Sequence, residues 1–250
     1  MSAPRLETSA KRLSRELASY RDQPPEKAPH VLDPLDYAWK LHASYLALAP
    51  APGKAEAVLV GMNPGPWGMA QTGVPFGSPD MVRDFLRLEG EVEVPENTHP
   101  KRPIIGLTSP RSEVSGRRLW GGIRDCFGTR EAFFARFFVL NYCPLVWQNE
   151  RGANVTPDKL GKAYMAECTD ACDRHLRDAL RRLAPQTAIG VGRWAEKRLN
   201  QVVARFELDV EVGMILHPSP ASPVANRGWL PQALAQLDAM GHPWPEPADA

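Results

Sequence analysis

Four short apolar runs rich in β-branched residues constrain this chain more than anything else in it: AEAVLVG (55–61), FFVLNY (137–142), TAIGVG (187–192) and VEVGMIL (210–216). Runs of this length and character read as strands buried on both faces. Helical segments separate them. Asp33 is an N-cap with Pro34 in the first turn of a helix running to Pro50. Ser78-Pro79 caps a helix over MVRDFLRL, and Ser115 caps another over GRRLWGGIRDCF. Thr156-Pro157 opens what reads as the longest helix, to about Leu183. Two more follow, over 194–206 and LPQALAQLDAM. Strands alternating with helices predict an α/β fold with a parallel sheet covered on both faces.

Charge and cysteine content narrow the class. Thirty Lys and Arg stand against 29 Asp and Glu, which excludes a strongly basic arm, so any nucleic-acid contact must come from local clustering. The 25 prolines, about twice the usual share, point to many fixed loops. Four cysteines without a secretory leader do not make a disulfide framework. No apolar run approaches the roughly 18 residues of a membrane span. A soluble, intracellular monomer is expected, in cytoplasm or nucleoid if bacterial and nucleus if eukaryotic. Residues 1–30 read as a flexible leader, frayed or weakly helical, 31–240 as one domain and 241–250 as a loose tail. Residues 90–115 look irregular.

In an open parallel sheet, ligands bind beyond the carboxyl ends of the strands. Asn63 follows the first strand, Asn141 ends the second, GVGRW follows the third and His217 follows the fourth. Three polar tips thus converge on one sheet edge. Neither Pro-rich loop carries an Asp or Glu, none stands immediately beside Asn141, and there is no GxSxG elbow. An amide such as Asn63 orients a water but cannot take its proton fully. Such a site suits a reaction whose carbon centre becomes cationic early, as in cleavage at a sugar anomeric carbon, with His217 stabilising the departing anion.

Other signals have plainer explanations. GVGRWA (190–195) fits the dinucleotide fingerprint of an oxidoreductase, but it follows the third strand, not the first. A tight turn and a phosphate contact at the helix start suit it better. Cys168, Cys172 and His175 share a helix face continued by Met165, Leu176, Ala179 and Leu183, so they read as core, not metal ligands. Cys126 and Cys143 lack CxxC spacing, which gives no support for an iron–sulfur cluster. Trp39, Trp120 and Trp194 read as core residues on helices.

GMNPGPWGMAQTGVPFG and HPSPASPVANRGW resemble the two signature motifs of the single-strand-selective monofunctional uracil-DNA glycosylases, within the uracil-DNA glycosylase superfamily. The likeness continues through SEVSGRRLWGGIRDCFG, FFVLNYCPL, NVTPDKL and GVGRWAE, covering roughly residues 30–240. It implies a three-layer α/β/α fold around a four-stranded parallel sheet, and excision of uracil and 5-substituted uracils from DNA without metal or cofactor. By the same resemblance Asn63 positions water, His217 stabilises the departing base and Asn141 reads the pyrimidine edge. Phe76 stacks on the base, while Met62, Gly65 and Met69 line the pocket through their backbones. Contact with DNA, single-stranded and duplex, falls to Arg151, Asn154, Lys159 and Lys162, and to Ser219, Pro220, Ala221, Asn226 and Arg227 in the second motif. That motif departs from the common pattern. Ala221 stands where many members carry a larger side chain, often Arg, that fills the gap left by the flipped nucleotide. Trp67 stands where Phe is usual. A catalytically silent binder of damaged bases is the remaining alternative.

Overall fold

The computed structural model describes residues 3–247. Six strands form: β1 (His30–Leu32), β2 (Ala57–Gly61), β3 (Phe137–Asn141), β4 (Val146–Gln148), β5 (Thr187–Val191) and β6 (Glu211–Ile215). Four of them make a parallel sheet in the order β3-β2-β5-β6. β2, β3 and β5 are the inner or well-covered strands and are buried nearly throughout; β6, at the edge, begins exposed at Glu211. The register pairs Gly61 with Asn141 and Val191 with Ile215, so all four strands end level. Strand order reverses between β2 and β5, which opens a crevice at their carboxyl ends.

Helices cover both faces. Gly190 of β5 meets the Glu196 backbone of the helix Arg193–Phe206, while Gly213 of β6 points the opposite way and meets Met240, beyond the helix Trp229–Ala239. Beside β3, Tyr45 of the helix Trp39–Leu46 stacks on Phe138 and donates to the Val139 carbonyl at 2.7 Å. The wholly buried Trp120 of the helix Val114–Phe127 donates to Pro75 O at 3.0 Å. The result is the three-layer α/β/α arrangement expected. β1 and β4 form a small antiparallel pair beside it that the strand pattern did not announce.

Several local expectations need correcting. Residues 6–16 form a helix, not a flexible leader. Leu6, Ala10, Leu13 and Leu17 recur at helical spacing and are buried. The helix packs on Ala166–Leu183, with Ser9 Oγ 2.9 Å from His175 Nδ1 and Arg12 paired to Asp178 at 2.6 Å. The tail is not loose through residue 247 either. Trp244 is buried among Phe127, Phe133 and Phe137, and His242 Nε2 lies 2.7 Å from Thr187 Oγ1. Residues 248–250 lie outside the described residues. One core cluster takes in residues from Leu6 to Trp244.

The long helix starts at Ala166, nine residues later than its Thr156-Pro157 signal suggests. A three-residue 3₁₀ turn, Pro157–Lys159, stands there instead, and Gly161 at φ 92° turns the chain away from helical geometry. The α-helix N-terminus read at Thr156-Pro157 is therefore not there. Ser115 lies inside its helix, which Glu113 precedes as N-cap. Ala38 splits the helix expected from Asp33 to Pro50, although Asp33 does cap Leu35 N at 2.9 Å. The Ser78-Pro79 segment leads into a π-helical turn, Met81–Phe85. Cys168, Cys172 and His175 are buried as expected, but Cys143 joins the two thiols, all three Sγ atoms lying within 4.8 Å of one another.

Candidate active site

A cavity of about 430 Å³ opens at the switch point, walled by Met62, Asn63, Gly65, Phe76, Asn141 and His217 among others. Each wall residue has a local reason to be there. Gly61, the last residue of β2, leaves room that a Cβ would take from Asn141 Oδ1 and the Phe76 ring. Gly192, at φ 92°, ends β5 and lies against the His217 ring; a Cβ there would come within 3.0 Å of His217 Cβ. These two glycines let three strand ends approach one another. GVGRWA is thus accounted for by helix packing at Gly190 and by His217 at Gly192.

Asn63 has a fixed orientation. Its Nδ2 lies 3.3 Å from both the Pro64 and the Leu145 carbonyl oxygens. Two carbonyls can only accept, so the amide nitrogen must face them and Oδ1 is left as the acceptor. An acceptor in the wall of a cavity is what orients the O–H of a water. Asn141 differs. Its Oδ1 is buried and has no hydrogen-bond partner among the described residues, while Nδ2 lies 3.3 Å from Met69 Sδ. An orphaned buried acceptor costs about 1–3 kcal/mol, and a ligand N–H repays it. Met69 thus backs Asn141 from behind and does not line the cavity.

His217 carries a buried Nδ1 that also lacks a partner among the described residues. Desolvation holds its pKa below the usual 6.5, so the ring is neutral at pH 7 and can offer one N–H. Phe76 sits 6.1 Å from it, centroid to centroid. Phe76 has φ 54°, a left-handed conformation that costs a non-glycine residue energy. The loop is clamped to hold it: Gly77 N and Ser78 N donate to Val74 O and Phe76 O, Thr72 Oγ1 to Gly77 O, and Trp120 to Pro75 O.

One wall residue escaped the sequence reading. Glu113 is half-buried as a residue, but its carboxyl is enclosed against Gly65 and Gly68, where a Cβ on either glycine would run into it. Desolvation pushes its pKa up to about 7. The pocket therefore does contain a carboxyl, supplied by neither Pro-rich loop. Its signal was faint: an acid at a helix start, with two glycines spaced three apart in a distant loop.

The residues expected on DNA are distributed unevenly. Asn154 and Ser219 stand in the cavity wall, and Asn154 Oδ1 is buried without a partner among the described residues. Ala221 and Arg227 are exposed on the second loop. Pro220 and Asn226 brace that loop instead: Asn226 donates to Pro220 O at 2.9 Å and accepts from Arg118, which also donates to Pro218 O and Ser219 O. Arg118 was not singled out beforehand. Lys162 is exposed in a groove that shares Trp194 with the cavity, whereas Lys159 is exposed and lines neither; Lys27 donates to the Lys159 carbonyl and lies with Glu150 and Arg151 around a shallow depression. Trp67 lies between Arg102 and Arg111, at 5.2 and 4.9 Å from their guanidinium carbons.

Residues 50–237 match the sequence profile of the Uracil DNA glycosylase superfamily. The single-strand selective monofunctional uracil-DNA glycosylase of Rattus norvegicus is 43% identical over 230 residues, 92% of this chain and 82% of the relative. That of Bos taurus is 44% identical over 211 residues, 84% of this chain and 77% of the relative. Pedobacter heparinus SMUG2 shares the fold at TM-score 0.61 and 17% identity, covering 92% of this chain and 98% of that one. With the profile spanning the sheet and both loops, and this identity holding over most of each mammalian relative, the chain belongs to the single-strand selective monofunctional family of the uracil DNA glycosylase superfamily.

Proposed function

We propose that this protein hydrolyses the N-glycosidic bond of uracil in DNA and leaves an abasic site. The observation that carries the reading is the arrangement of three side chains around one cavity: Asn63 with its acceptor oxygen free, and Asn141 and His217 each with an orphaned buried atom. The flipped uracil enters with its N3–H toward Asn141 Oδ1 and its O4 toward Nδ2. Cytosine presents the reverse pattern, an acceptor at N3 and a donor at N4, and is refused. Phe76 supplies the stacking face.

As the C1′–N1 bond lengthens, positive charge grows on the sugar and negative charge on the base, chiefly N1 and O2. The N–H of His217 meets that growing charge. Because the bond strengthens as the reaction proceeds, it stabilises the transition state more than the bound substrate. Asn63 holds the water that adds to C1′. A sugar already cationic needs an oriented water more than a strong base, which an amide can supply. The cavity wall contains no lysine among the described residues, so no amine is placed to form a Schiff base with the abasic sugar. That supports a monofunctional outcome. On the same reading a 5-hydroxymethyl group is accepted where thymine is not, because its hydroxyl can take over the hydrogen bonds of a displaced water, whereas a methyl group leaves that water's partners unpaired.

Incubation with a uracil-containing single-stranded oligonucleotide followed by alkali tests the reading. Breaks at uracil only after alkali are expected. Retention of the oligonucleotide without breaks would make the protein a binder, and breaks before alkali would overturn the monofunctional assignment.

A further inference from the structure

A second groove, of about 580 Å³, runs beside the base cavity, and its wall includes Tyr142, Lys162, Met165, Trp194, Lys197 and Gln201. Trp194 belongs to both walls. It stands in the first turn of the helix Arg193–Phe206, just past Gly192, and remains half-exposed. Its ring meets Tyr142 edge-on at 5.4 Å, which holds it as a ridge between the two spaces. Lys197, three residues along the helix, shares its face. Lys162 faces it from the irregular segment after Gly161. Both lysines are exposed, and neither has an ion-pair partner among the described residues. Arg198, in the same wall, is already taken by Asp173 and Tyr142. Asp158 is the one carboxylate among the described wall residues.

A flexible aromatic with no neighbours would say little. Here the ring is braced, open on one side, shared with the wall of the base cavity and flanked by two cations without ion-pair partners among the described residues. Aromatic faces with neighbouring positive charge hold single-stranded nucleic acid by stacking and phosphate contact. We propose that this groove is a second nucleotide subsite, in which the base next to the excised uracil on the same strand stacks on Trp194 and its phosphate lies against Lys162 and Lys197. The inference rests on the assignment of the first cavity to uracil. It also bears on strand preference, since a base already stacked and paired in a duplex cannot lie on Trp194 without leaving its partner.

The test combines protein and substrate truncation. Excision is measured for wild type, Trp194→Ala, Trp194→Phe and Lys197→Ala on oligonucleotides with uracil internal, at the 5′ end or at the 3′ end. On internal uracil in single strands, Trp194→Ala is expected to raise KM about tenfold, with a smaller change in the rate at saturating enzyme. Trp194→Phe should restore most of the affinity, and Lys197→Ala should lose affinity less steeply than wild type as salt rises. On the terminal substrate that lacks the stacked neighbour, wild type and Trp194→Ala should bind alike. Equal KM for Trp194→Ala and wild type on internal uracil, or an undiminished Trp194→Ala defect on both terminal substrates, would overturn the subsite alone. Failure of wild type to excise uracil from any substrate would overturn the base-cavity assignment and the subsite with it.

Discussion

Under the proposed mechanism Asn63 and Asn141 are the same side chain put to opposite uses, and the difference lies in their partners. Two backbone carbonyls consume the donors of Asn63 and leave its oxygen to a water; Asn141 keeps its oxygen orphaned for a base. Asn63→Ala should retain DNA affinity and lose most excision, and unchanged turnover would remove Asn63 from the mechanism. Asn141→Asp should weaken uracil recognition, because a carboxylate accepts but cannot donate to O4; excision at wild-type speed would refute the reader role. Glu113 makes a prediction about stability. Its folded pKa of about 7 lies above the usual 4.5, so the folded state favours the protonated form. Stability is then fully present below about pH 4.5 and falls as pH rises toward 7. Glu113→Gln should match wild type in thermal melts at pH 4.5 and exceed it by on the order of 1–3 kcal/mol at pH 8. Melts that keep the same difference at both pH values would contradict the desolvated carboxyl. Asn63, Asn141 and His217 were legible in sequence because each stands at the end of a strand that announces itself locally. Glu113 was not, since only the packing of a helix start against a loop some 45 residues earlier brings it in.

Elements followed their local signals where periodicity was strong and missed where one glycine or one charged face intervened. All four sheet strands lie where their apolar runs do. The helix at Ala166–Leu183 lost its first turns to Gly161, whose positive φ no residue count reveals. The helix at Leu6–Glu16 reads from sequence only as a frayed or weakly helical leader because charged residues dilute its mean character, although the apolar positions keep helical spacing. Leu13, 2% exposed, separates the two descriptions of that segment. Leu13→Ala should cost about 2–5 kcal/mol if the helix is core, against less than about 0.5 kcal/mol for a solvated leader. Chemical denaturation reads the difference directly.

At the scale of the molecule, one topological fact places the chemistry. Four parallel strands end level, their order reverses between β2 and β5, and Asn63, Asn141 and His217, at or just past the strand ends, share one cavity. The near-neutral charge balance leaves DNA contact to local groups around that mouth. His217 carries the largest single share of the account, and its neutral ring means that excision should not depend on protonating it above pH 7. The decisive measurement is the single-turnover excision rate of His217→Leu on uracil in single-stranded DNA at saturating enzyme. Loss of one preorganised donor predicts a fall of about 10²–10³-fold, with DNA affinity little changed. A normal rate at saturation, with the whole defect in DNA affinity, would contradict it.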